Sequence, residues 1–132
     1  MNERQRQILS DLRKKGSSEV ADWLMQQYPA GSMDSGEAMI ILAHLSLKRA
    51  DQVRLAEHYF SRLPFAHARG YETFASFMQV RRLVEIMRKH IPADNGRKQL
   101  LAYYAAPVLN RAARTAEDHE AVQRFLAELK AS

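Results

Sequence analysis

Apolar residues in this chain recur at spacings of three and four, and no segment shows sustained alternation between apolar and polar residues. Val20, Trp23, Leu24 and Tyr28 follow that rule, as do Leu55, Ala56, Tyr59, Phe60 and Leu63, and again Val122, Phe125, Leu126 and Leu129. A period near 3.6 places such residues on one face of an α-helix, whereas a half-buried strand needs a period of two. β-branched residues are few. The chain is therefore predicted to be all-α, without appreciable β-sheet.

Sparse breakers cut the pattern into helix-length pieces. They are Gly16, Pro29-Ala30-Gly31-Ser32, Pro64, Pro92-Ala93-Asp94-Asn95-Gly96 and Pro107. Six or seven helices follow, joined by short connections, which favour antiparallel neighbours in a compact bundle or stacked hairpins. The first is predicted from Glu3 to Lys15, with Asn2 as N-cap and Gly16 as a left-handed C-terminal residue. Between Ala38 and Leu47 only His44 and Ser46 are polar, so a third, central helix is predicted there, with Asp34 and Glu37 as a capping box and with Leu42 and Leu45 in the core. Asp51 is predicted to cap the fourth helix. One long helix is predicted from Tyr71 to His90, another from Arg97 to Arg114 with a kink or break near Ala106 caused by Pro107, and a last one capped by Thr115. Trp23 is predicted to be largely buried.

The 132 residues match one domain, and no linker divides residues 1–132. No internal repeat is found. Cysteine is absent, so disulfide and thiolate chemistry are excluded. The first residues carry Glu3 and Asp11 and lack an apolar stretch, which predicts a cytoplasmic protein without a signal segment. The densest apolar run is far shorter than the ~20 residues a membrane span needs.

Catalytic signatures are missing from the sequence. The five glycines form no phosphate-binding loop and no nucleophile elbow. The five histidines, at 44, 58, 67, 90 and 119, are never four apart, so no helical pair is placed to hold a metal. His44, inside the apolar third helix, is predicted to be a neutral imidazole hydrogen-bonded in the core or at its margin, the alternative being a buried general base or pH switch. Neither enzymatic activity, nor a cofactor, nor a metal site is expected.

Charge supplies one candidate surface. The net charge is +5, and residues 81–114 alone hold eight Lys and Arg against two acids. Arg81, Arg82, Arg88, Lys89, Arg97 and Lys98 lie in that segment, with Arg111 and Arg114 further on and Tyr103 and Tyr104 between. Phosphate backbones attract such clusters and exposed aromatics stack on bases. The other candidate is the connection containing Phe65, His67, Arg69 and Tyr71, because aromatic and Arg side chains are common interface anchors. Gly70 is expected to lend it backbone freedom. The loop Pro29–Ser35, with Met33, is a lesser candidate. The expected function is a non-enzymatic helical module of adaptor, small-chaperone or inhibitor (immunity) type that binds another protein, as a monomer or homodimer. Nucleic-acid binding through residues 81–114 is the alternative, and no membrane association is expected.

Overall fold

The computed structural model describes residues 1–131. Among them are eight helices and no strand: α1 (Glu3–Leu12), α2 (Ser17–Gln27), α3 (Ser35–Leu42), α4 (Arg49–Phe60), α5 (Arg69–Ala75), α6 (Val80–Arg88), α7 (Asn95–Ala112) and α8 (Ala116–Lys130). The all-α class holds, and the helix number exceeds the six or seven predicted because one predicted long helix is two. None of these helices is long and apolar enough to cross a membrane. By compactness the chain divides into two units, Met1–Tyr59 and Phe60 onward.

In the first unit, α1 starts as its sequence predicts. The Asn2 side chain accepts the N–H of Gln5 at 2.8 Å, and the Gln5 side chain accepts the N–H of Asn2 at 3.1 Å. The helix ends at Leu12, three residues early, and Gly16 is the extended N-cap of α2 rather than a left-handed terminator (φ −72°, ψ 157°). The residue with positive φ is Gly31, at +80° in the turn that the Ser32 N–H closes onto the Pro29 carbonyl. A β-carbon is strained in that conformation. Val20, Ala21, Leu24 and Tyr28 turn α2 into the core, which leaves Trp23 only half-buried, edge-on to Tyr28 with ring centroids 6.0 Å apart.

Helix α3 stops at Leu42, five residues before its predicted end, because neighbouring side chains claim the backbone that would continue it. The Arg13 guanidinium donates to the His44 carbonyl at 3.3 Å, and Ser17 Oγ accepts the Lys48 N–H at 2.8 Å. His44 consequently lies outside the helix and is exposed, and Leu45 is half-buried. Asp51 is not the cap of α4 either. It sits inside the first turn, accepting from Ser17 Oγ at 2.6 Å and from Arg54 at 3.0 Å. Arg54 also pairs with Asp22 on α2.

Glu37 likewise abandons the predicted box, since Asp34 makes no side-chain cap. Its carboxylate accepts from the Tyr28 hydroxyl at 2.6 Å, from Gln5 at 3.3 Å and from Arg4, joining α1, α2 and α3. The Tyr28 hydroxyl, followed by Arg4 and Gln5, holds the Glu37 carboxyl below its ordinary range. Burial and the same contact push the Tyr28 phenol up to about 12. The Ser17 and Arg54 contacts lower the Asp51 carboxyl. A carboxylate whose pKa is depressed by folding stabilises the fold at pH above its unfolded value and loses that contribution as pH falls through the folded value. Urea midpoints should therefore fall as pH drops below about 4, and Glu37→Gln should flatten that decline while lowering stability near neutrality. Identical pH profiles for parent and variant would remove Glu37 from this role.

In the second unit, α5 packs on α7, α6 packs on α8, and α7 and α8 pack together. The predicted helix from Tyr71 to His90 is broken at residues 76–79, where no Gly or Pro occurs. Ser76 Oγ donates back to the Thr73 carbonyl at 2.6 Å, a bond that competes with helix continuation, and Gln79 is extended (φ −60°, ψ 136°). The break lets α5 and α6 follow different partners while Phe74, Met78, Leu83, Val84 and Met87 all stay buried. Helix α7 begins at Asn95, its Asp94 cap accepting the Arg97 N–H at 3.1 Å, and continues through Pro107 unbroken, so of the predicted kink or break the break does not occur. Thr115 caps α8 as predicted, with a full reciprocal box to Asp118.

Candidate partner-binding surface

The corner between α4 and α5 divides into an inner and an outer pair. Tyr71 is fully buried, and its hydroxyl accepts the Phe65 N–H at 2.9 Å. The half-buried Phe65 ring lies 4.8 Å from the Tyr71 ring and 5.5 Å from Phe60. His67 and Arg69 are exposed. Composition had grouped all four, yet Tyr71 is a packing residue, Phe65 packs on it while half-buried, and His67 and Arg69 are the two that are exposed.

Gly70 has no unusual φ, so its predicted conformational freedom is not what the corner uses. It is buried in α5, and a β-carbon there would come within 2.5 Å of Cδ2 and Cε2 of Phe65. Glycine lets the aromatic ring lie flat on the helix. Gly70→Ala should lower stability by about 1 kcal/mol or more, since displacing the ring outweighs the helix-propensity gain of alanine. A melting temperature equal to or above the parent's would contradict this.

Several cations of the basic segment are paired with acids or backbone carbonyls. Arg81 pairs with Asp118 and Glu117 of α8, both at 3.0 Å, and Arg88 with Glu128 at 2.7 Å. Arg97 lies 3.5 Å from Asp94, and Lys98 donates to the Ala131 carbonyl at 3.4 Å. Arg111 is 4.0 Å from Glu72. Arg82 on α6 and Lys89 at its C-cap are exposed. With 1.5 Å of rise per residue, Arg97 and Arg111 stand roughly 21 Å apart along α7. Acids on α8 thus pair with Arg81 and Arg88, two of the eight cations that the sequence concentrates in residues 81–114.

Between the α5–α6 break and the α7–α8 junction lies an open cleft of about 470 Å³, lined by Phe77, Met78, Arg81, Arg111, Arg114 and Asp118 among others. Asp118 is the counter-charge inside it. Its carboxyl is held low by the Arg114 N–H at 3.1 Å, by Thr115 and by Arg81.

The most exposed apolar surface of the second unit was not anticipated. Leu101, Ala105, Val108 and Leu109 turn one side of α7 into the core. Leu100, Tyr103 and Pro107 recur at spacings of three and four on the opposite side, with Leu100 40% and Tyr103 72% exposed and Pro107 also exposed. Tyr104, half-buried, meets Tyr103 edge-on at 5.0 Å. The signal was present in the sequence, because α7 carries apolar residues on two faces and a helix needs only one to join a core. In the first unit, Met33 is fully exposed in its loop.

Among the described residues, no group of three or more His, Asp or Glu side chains is placed to hold a metal. Comparison with protein-family models, curated proteins and solved structures finds no match to this chain.

Proposed function

We propose that this chain is a non-enzymatic helical interaction module, of adaptor, small-chaperone or inhibitor type, and that it binds another protein through the outer face of α7. One observation carries the reading. Tyr103 and Leu100 stand in solvent on a helix whose other face already supplies the core. Large aromatics at the centre of a patch are the usual energetic anchors of protein interfaces. A rigid, multiply packed helix also holds them at little entropic cost on binding. The exposed His67–Arg69 edge of the corner is a secondary contact in this reading.

Nucleic-acid binding through residues 81–114 has less support, since Arg81, Arg88 and Arg97 are already ion-paired. A retention experiment separates the two. Immobilised parent chain and a Leu100→Ala/Tyr103→Ala variant are exposed to native lysate with and without nuclease. Protein retained by the parent despite nuclease, and lost by the variant, is the expected result. Retention that nuclease abolishes would favour the nucleic-acid reading.

A further inference from the structure

We propose that the first unit binds a small phosphate ester in the cleft between the α1–α2 junction and the segment linking α3 to α4. The cleft holds about 250 Å³ and is lined by Arg13, Lys15 and Ser17 from the junction and by His44, Leu45 and Leu47 from the segment. Two bonds pin these walls together. The Arg13 guanidinium donates to the His44 carbonyl at 3.3 Å, and Ser17 Oγ accepts the Lys48 N–H at 2.8 Å. Charge marks the place. Residues 1–80 are almost neutral in sum, with ten Lys and Arg against nine Asp and Glu, yet the fold sorts those charges unevenly. Arg13, Lys14 and Lys15 stand at the junction, Lys48 and Arg49 stand where α4 begins, and residues 12–18 and 43–50 contain no Asp or Glu. The neighbouring acids are engaged: Glu19 pairs with Lys15 at 3.2 Å, and Asp51 accepts from Ser17 Oγ and Arg54. Lys48 acts on Asp51 through space, beyond ion-pair distance. Among the described residues, Arg13, Lys14, Lys48 and Arg49 form no ion pair, and all four are exposed.

Arg13 sets the chemistry. Its guanidinium is held across the cleft by a neutral carbonyl rather than by an acid, so its charge stays uncompensated and further N–H donors of the planar fork remain to be used. Such a fork matches the oxygens of a phosphoryl group. A phosphate dianion also offsets more of the surrounding positive charge than a carboxylate does. Leu12 and Val20 add an apolar floor, which suits the organic part of an ester and gives nothing to free phosphate. The volume lies below the roughly 300–1,000 Å³ of drug-sized ligand sites, which favours a small molecule. No aromatic side chain is among the described residues lining the cleft, so a nucleic-acid base would find nothing to stack on.

Amide NMR titrations of the whole chain with phenyl phosphate, inorganic phosphate and benzoate, at one ionic strength, test the site. The expected result is saturable shifts centred on residues 12–17 and 44–49, with phenyl phosphate bound more tightly than either of the others. Arg13→Gln/Lys48→Gln should weaken phenyl phosphate binding at least ~10-fold, the loss expected when a charged hydrogen-bond donor is removed. Because Arg13 also holds the residue-44 carbonyl, a second variant guards against misfolding. Lys14→Gln/Arg49→Gln alters side chains that make no bond among the described residues, and it should weaken binding several-fold with thermal unfolding unchanged. Equal affinity for inorganic phosphate or for benzoate would overturn the ester assignment. No saturable shift, or shifts that both variants leave intact, would overturn the site itself. Binding to oligo(dT) alone, tightening with its length, would replace the small ester by a nucleic-acid backbone.

Discussion

Replacing Phe74 by alanine is expected to cost about 3–5 kcal/mol of stability. The side chain is fully buried, with ring centroids 5.0 Å from Phe60 and 5.4 Å from Phe77. Its loss removes apolar burial and leaves a space that the Phe60, Phe65 and Tyr71 rings, themselves in mutual contact, fill only by giving up one another. Since a native domain holds only about 5–15 kcal/mol in total, a urea titration should show the variant unfolding at much lower denaturant. Leu42→Ala should cost about 2–5 kcal/mol by the same mechanism, the side chain being 1% exposed. Leu45→Ala should cost less than Leu42→Ala, because Leu45 lies beyond the end of α3 and is half-buried. Equal losses at 42 and 45 would restore the longer, central third helix.

The second large effect is on binding. Leu100→Ala/Tyr103→Ala should weaken the partner complex by about 2 kcal/mol or more, roughly 30-fold, while shifting stability by no more than about 0.5 kcal/mol. The opposite signature is expected at the corner. Phe65→Ala should reduce stability, because the ring covers Gly70 and meets Phe60 and Tyr71. Measuring affinity and unfolding on each protein separates an anchor from a core residue.

Much of the fold was legible because helices announce themselves locally. Asn2 and Thr115 cap helices through side chains a few residues away, and the buried faces of α2 and α8 follow from spacing alone. What escaped depends on residues distant in sequence. The end of α3 is set by Arg13 and Ser17, some thirty positions earlier. Glu37 and Asp51 resemble caps in sequence, but Tyr28, Arg4 and Ser17 recruit their carboxylates. The break at residues 76–79 has no Gly or Pro to announce it and arises where α5 and α6 turn to different partners. At the candidate surfaces, composition could not tell an aromatic anchor from an aromatic core residue. Phe65 and Tyr71 went inward, and Tyr103, read beside Tyr104 as a stacking residue in a basic stretch, stands on an apolar stripe. In the basic stretch, composition could not show that Glu117, Asp118 and Glu128 of α8 would be brought against Arg81 and Arg88.

The central claim, that α7 presents the partner-binding face, is tested most directly by photo-crosslinking. A photoreactive phenylalanine analogue is placed at position 103 in one preparation and at position 82, on the exposed side of α6, in another. Both are irradiated in native lysate. The expected result is a discrete protein adduct at 103 that resists nuclease and is far weaker at 82. No adduct at 103, or one that nuclease removes, would contradict it.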